Sequence, residues 1–502
     1  MKKTLAIIIA ALGCATANAQ EINAVVARQS NAAQEMVRLT NTPNVILSQD
    51  GITLKNGDQE KQYDFSDGNV TVLFASAINS PESTESLTHP VVIENRGLLT
   101  VSGTLGNGNA QDLVIEDGGQ LRFDEGTANA IVKKVIAGYN DGDGNWYLVA
   151  SPVAGTDAPA GMIDETAENY DLYIFDQSCQ NAEWRNYKVE GQAFNIVNQN
   201  GYLYANKVNT TLTFSGELIA SASAKPLAYD GNATFKGFNL IGNPYTCDAY
   251  INRNFYRMND EEGKEGTELI LSSGAIHALE GVFVQALDED ESVTFSKDAP
   301  TTQNGMCAMT LSQGTAAIDR AIVNFGKGGN LDKFMLNESN TKLFIPQNSK
   351  DFAAVATEAT IGEMPVSFKA AKDGNYTISV NTQNVEAEYM HLIDNMTGMD
   401  VDLLATPSYS FEAKTSDYAS RFKLVFGVKD NETEAAENFA YISNGEIIIS
   451  NEGRATLQVI DVLGHIVSSE QINGECRIST NGMTAGVYVL NLNGMTQKIV
   501  VR

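Results

Sequence analysis

Residues 92–101 read VIENRGLLTV, and residues 114–123 read VIEDGGQLRF. Both carry Val-Ile-Glu, an Asn or Asp, a Gly two positions on and then Leu, at an offset of 22 residues (92 to 114). Asn95 and Asp117 suit the start of a turn that Gly97 and Gly119 complete, while the apolar residues return to the same inner positions. A period near 20 in a strand-rich segment predicts rungs of a β-solenoid. Rungs cannot bury their faces alone, so two or three of them must lean on a neighbour. Residues 45–54, VILSQDGITL, read as a degenerate earlier rung. Two similar hairpins in a sandwich would give the same echo and remain the alternative.

Outward from this pair, runs of Val, Ile, Thr, Tyr and Phe alternate with Gly, Asn and Asp, which predicts strands throughout. The exception is the stretch 24–39, which reads as a short helix or a loop. Residues 146–153, WYLVASPV, are matched by 238–245, FNLIGNPY. Further on, GYLYANKVNTTLTFSG from Gly201 is matched by GVFVQALDEDESVTFSK from Gly281, with Phe214 and Phe295 in corresponding places. Two related β units in tandem are the simplest account of 135–302. Pro152 and Pro244 end their strands, since proline cannot donate to a ladder. Across 305–428 short strands with frequent turns predict an immunoglobulin-like sandwich, with Tyr376, Ile378 and Val380 on one face. Residues 429–438 are too polar to build a core and read as a linker. The predicted fold class is mainly β. Its parts are a solenoid-like domain over 20–134, the duplicated domain, the sandwich, and a small immunoglobulin-like β-sandwich over 439–502.

A chain of 502 residues exceeds one hydrophobic core. Lys2 and Lys3 precede an apolar run from Thr4 to Gly13, and Ala17-Asn18-Ala19 offers a small-x-small cleavage site that leaves Gln20 as the new terminus. This predicts a signal peptide over 1–19 and export through the periplasm. Leu12-Gly13-Cys14 also offers a lipid-attachment pattern, though Ala11 stands where leucine is preferred. No later run approaches the ~20 apolar residues of a membrane helix. The formal charge of -28 becomes -30 once Lys2 and Lys3 are removed, a field that repels phosphate backbones and excludes nucleic acid as a partner. Outside the predicted signal lie Cys179, Cys247, Cys307 and Cys476, without CxxC spacing, so zinc is not expected. An oxidising compartment permits disulfides among them in three connectivities, and four separate thiols are the other reading.

Catalytic constellations are absent from the sequence. His89, His277, His391 and His465 form no HExxH, no GxSxG elbow exists, and the glycines of FGKGGNL (325–331) lack a Walker lysine followed by Ser or Thr. A carboxylate pair of the glycosidase kind cannot be recognised by spacing among 62 acids. The chain therefore reads as a non-enzyme without a cofactor. One loop, NDGDGNW, sets Asp141, Asp143 and Asn145 at alternate positions, as many calcium loops begin; any calcium there would be structural. Trp184, with Tyr187 close by and Tyr202 further on, suggests a ring platform for a glycan, against the ordinary use of such rings in cores.

From residue 439 the strand pattern turns compact. Ala455, Leu457 and Val459 alternate with Thr456, Gln458 and Ile460, and Val487 and Val489 alternate with Tyr488 and Leu490. The Asp-x-x-Gly turn at Asp461 to Gly464, the Gly-Val-Tyr strand at Gly486, Val487 and Tyr488, and the closing Lys498-Ile499-Val500-Val501 resemble the C-terminal sorting domain carried by cargo of the Bacteroidota type IX secretion system. His465 stands where that family usually has Arg or Lys after the turn glycine, and Met483 where it usually has Leu. The resemblance implies partners in the type IX machinery and in the enzyme that removes the domain. It also implies a destination at the outer-membrane surface or in the medium. What the protein does there is expected to be adhesion or surface structure, with a host or matrix protein or a glycan as partner. A glycan-binding or glycan-active role for the duplicated domain is the alternative.

Overall fold

The computed structural model describes residues 91–428 and 439–501, apart from short breaks, and the backbone of strands between 24 and 80. Every regular element among the described residues is a strand. The chain forms two compact units, Met1–Gly427 and Val428–Arg502.

The 22-residue echo is the register of a parallel stack. Val91–Ile93 and Leu113–Ile115 pair in parallel with Val92 opposite Val114, and on a second face Leu98–Gly106 and Gln120–Thr127 pair with Leu98 opposite Gln120. A further rung precedes them: Thr71–Phe74 and Ala77–Ser80 lie parallel to the same two strands. Residues 45–54 are not a rung. Their strands Asn44–Leu47 and Gly51–Asn56 pair antiparallel, with Leu47 opposite Ile52. Nor is 24–39 helical: Ala24–Arg28 and Glu35–Arg38 are paired antiparallel strands, in keeping with the β-branched Val25, Val26 and Val37.

The rung corners repeat as the strands do. Gly97 N–H donates to the Glu94 carbonyl and Gly119 N–H to the Glu116 carbonyl, each at 2.8 Å. The left-handed residue of each turn is the one before those glycines, Arg96 (φ 67°) and Gly118 (φ 79°). Gly119 is required for a different reason: a Cβ there would stand 2.6 Å from the Ile93 carbonyl oxygen of the rung below. Inside the stack Val91, Ile93, Leu113, Ile115, Leu121 and Phe123 are fully buried. The last parallel strand, Asn129–Ile136, is then closed by Thr210–Glu217, antiparallel over all eight positions.

The sequence doubling is a doubling of topology. In the first half Tyr147–Ala150 lies beside Gly201–Asn206, then Tyr170–Phe175, then Trp184–Asn186. In the second, Phe238–Gly242 lies beside Gly281–Gln285, then Phe255–Met258, then Leu269–Ser272. Both sheets thus run first, fourth, second, third. The halves also meet reciprocally. Ala150 N–H donates to the Leu279 carbonyl at 3.0 Å, and its counterpart Gly242 N–H donates to the Gln199 carbonyl at 2.9 Å. Leu279 and Gln199 share a positive φ, 63° and 65°. Exchanging the halves exchanges these contacts, which is the mark of a two-fold relation. Backbones cross so closely here that a Cβ on Gly242 would stand 2.4 Å from Asn200 O and 2.5 Å from the Ala150 Cβ.

Residues 305–428 pair into one eleven-stranded sheet rather than two separate antiparallel ones. Its strands Ala316–Phe325 and Lys350–Thr357 run parallel, because the intervening chain returns to the same end before pairing. Within it the Arg421 guanidinium grips Asp394 through Nη2–Oδ2 at 2.9 Å and Nε–Oδ1 at 3.1 Å, and stacks 4.5 Å from the Phe411 ring centroid. Both residues are buried. Burial alone would raise the Asp394 carboxyl, but Arg421, Met396 N–H and Tyr409 OH outweigh it and hold it below the usual carboxylate range.

Two outcomes test this arrangement. Gly242→Ala is expected to destabilise by about 1–3 kcal/mol through overpacking, whereas Gly231→Ala, whose Cβ meets only a Tyr229 ring carbon at 3.8 Å, stays within about 0.5 kcal/mol in denaturant melts. Arg421→Met leaves Asp394 buried without its cation and is expected to cost about 3–5 kcal/mol. Since the folded pKa of Asp394 lies below its unfolded value, the wild-type pair contributes fully above about pH 4 and loses that contribution as pH falls further. Equal melts of wild type and Arg421→Met at neutral pH would refute it.

Candidate functional site

Among the described residues the second unit is a sandwich of seven strands. Ala440–Ser443, Glu446–Ile449 and Cys476–Ser479 make one sheet; Ile466–Asn473, Arg454–Asp461, Gly486–Leu492 and Met495–Val501, in that spatial order, make the other. The period-2 pattern places Ala455, Leu457 and Val459 with Tyr488, Leu490 and Leu492 on the buried face, against Ile447 and Ile449. Gln497 fastens one sheet to the other: its side chain accepts from Ala440 N–H at 2.8 Å and donates to Ala440 O at 2.5 Å. No sequence pattern pointed to Gln497, because a lone polar residue in a strand looks the same whether or not it finds a partner.

The motif residues assemble on adjacent strands. Asp461 closes its turn twice, donating its N–H to the His465 carbonyl at 2.9 Å and accepting His465 N–H on its carboxylate at 2.9 Å. His465 Nδ1 lies 3.2 Å from the same carboxylate, so the residue standing in place of Arg or Lys still sets a basic group on Asp461. Directly opposite Asp461 is Tyr488, buried, with its OH donating to the Thr484 carbonyl at 2.9 Å. Gly486 is exposed and Val487 half-buried. Lys498 pairs with Val489, and Val500 with Val487, on the next strand. Gly464 lies outside the described residues.

Residues 443–502 match the family model of the secretion system C-terminal sorting domain. The second unit carries a sorting domain. It makes this chain a cargo of type IX secretion, exported across the outer membrane to the cell surface or the extracellular space. No curated protein matches the chain. In the sorting domain Asp461, the Gly-Val-Tyr strand and the closing strand therefore lie on adjacent strands of one sheet.

The other sequence candidates are not brought together. Ala19, Gln20, Asp141, Asp143 and the linker 429–438 lie outside the described residues. Asn145 donates its side-chain amide to the Gly138 carbonyl at 3.0 Å, on the wall of a cavity of about 220 Å3. There Arg257 and Glu280 are paired through two hydrogen bonds, at 2.9 and 2.5 Å. Trp184 and Tyr202 sit on opposite faces of their sheet, so they form no common platform. Trp184 is half-buried and packs edge-on to Phe175 (5.3 Å) and Phe283 (5.7 Å). Tyr202 is fully buried, its OH accepting Val197 N–H at 2.7 Å. Tyr187 packs edge-on against Tyr170 and Phe194. The glycine run 325–331 is a loop leaving the strand Ala316–Phe325, on the wall of a cavity of about 460 Å3.

The four cysteines are separate thiols. Burial pushes Cys247 and Cys307 up to about 12, while Cys179 and Cys476 are half-buried. Brief alkylation of the folded protein near pH 8 is expected to label Cys179 and Cys476 and to spare Cys247 and Cys307 until denaturant is added. Early labelling of Cys247 or Cys307, read by peptide mass, would contradict this packing.

Proposed function

We propose that this chain is a surface-displayed β-protein of adhesion or surface structure in a Bacteroidota cell. In this reading residues 1–19 are a signal peptide that takes it into the periplasm. The sorting domain takes it across the outer membrane and is then cut away in the linker at 429–438. The observation that carries the reading is the folded sorting domain, in a chain whose described regular elements are all strands. A stack of parallel rungs continued into a two-fold pair of sheets is the kind of repetitive β scaffold that suits display of surface. The rings that would have built a glycan platform are used in packing, so the structure lends no support to that alternative.

Cells carrying a chain shortened by residues 439–502 are expected to hold it in the periplasm, with loss of antibody labelling on intact cells. Cells lacking the whole protein are expected to lose attachment or surface integrity. Surface labelling of the shortened chain contradicts the export route, and normal attachment with a normal surface contradicts the role.

A further inference from the structure

The eleven-stranded sheet holds a second buried ion pair, built unlike that of Arg421 and Asp394. Lys333 Nζ lies 2.5 Å from Asp319 Oδ1 and 2.6 Å from Oδ2, and the two side chains are 4% and 2% exposed. Among the described residues Asp319 supplies the only acceptors that this Nζ reaches. An ammonium brings three donors, so a dry site with a single carboxylate leaves it short of acceptors. Two other buried cations of the first unit are served more fully. Arg421 donates to Asp394 and to the Glu412 carbonyl and stacks on Phe411. Lys297 shares its Nζ among Asp124 and the carbonyls of Phe123 and Ala220.

Backbone groups hold both partners in place. Arg320 N–H donates to Asp319 Oδ1 at 2.8 Å, and Leu343 N–H donates to Oδ2 at 2.7 Å. Lys333 N–H donates to the Asp351 carbonyl at 2.8 Å. On either side of Lys333, the Tyr256 OH accepts Phe334 N–H and donates to the Asp332 carbonyl, each at 3.0 Å. An amine held astride a carboxyl group, with a backbone N–H on each oxygen, is an arrangement for acyl transfer. Proximity replaces collision, and the two donors are placed for the charge of a tetrahedral intermediate. We propose that Lys333 and Asp319 condense to an amide, which cross-links the strand Ala316–Phe325 to the segment following Leu331–Asp332. The Nζ–Cγ bond forms and one Cγ–O bond breaks. The departing oxygen takes two of the three Nζ protons and leaves as water, while the third proton stays on the amide nitrogen. Nothing is oxidised or reduced, and no co-reactant enters. Two buried charges become one neutral amide, which removes the cost of keeping them out of water. Residues 319–333 then form a closed covalent loop that persists when the sheet is pulled or unfolded, a property suited to a protein outside the cell.

The test is a tryptic peptide map of the folded, purified full chain, denatured just before digestion. A linked Lys333 resists trypsin. The expected main form is therefore residues 298–320 joined to 328–342, lighter by one water than the two peptides together, with fragmentation placing the link at 319 and 333. Lys333→Arg keeps a cation beside Asp319 but has no amine to condense, and Asp319→Ala has no carboxyl group. Both variants are expected to give only separate peptides. Recovery of 298–320, 328–333 and 334–342 as separate peptides from the wild-type chain overturns the proposal and leaves an ion pair. So does a loss of water confined to 298–320, which is a succinimide within one peptide. If a variant fails to fold, the wild-type map decides alone.

Discussion

A parallel stack of rungs leaves its last strand with unpaired backbone groups, and the first unit depends on how that edge is closed. Asn129–Ile136 is parallel to the rung before it on one side and antiparallel to Thr210–Glu217 on the other. One strand thus ends the solenoid and joins it to the duplicated region. The core follows the same path: Leu113, Ile115 and Val132 of the stack share one buried cluster with Leu212, Phe214, Tyr202 and Tyr204. Neither the solenoid nor the first sheet of the pair closes a core alone.

The duplicated sheets continue the layering. Tyr202 and Tyr204 face the solenoid, while Leu203 on the same strand faces a second cluster shared with Phe238, Phe283, Phe334 and Ala354. On the far side Val282 and Val284 meet Val293 and Phe295, as Tyr202 and Tyr204 meet Leu212 and Phe214. A gene-level repeat has become a two-fold pair whose joint is backbone on backbone. That is why Gly201, Gly242 and Gly281 cluster there, where side chains would hold the sheets apart.

Much of this was legible wherever the signal is local or repeats. The offset from Val92 to Val114 gave the rung register directly, and the match of 146–153 with 238–245 gave the two related sheets. The alternation from Ala455 to Ile460 gave the buried face of the sorting domain. What stayed hidden depends on partners chosen at a distance. The strand or helix character of 24–39, and the antiparallel pairing within 45–54, turn on which strand each finds. Pairing such as that of Arg421 with Asp394, 27 residues apart, leaves no pattern in the chain. Trp184 and Tyr202 were misleading for a related reason: a ring in a polar stretch looks available until its sheet is packed.

The sorting domain sets the protein's destination, and within it Gln497 of the closing strand ties one sheet to Ala440 of the other. The direct measurement is the intact mass and location of the native protein, with both termini mapped. The account predicts a form on the cell surface or in the medium that begins at Gln20 and ends within 429–438. A chain confined to the periplasm and still ending at Arg502 would contradict it.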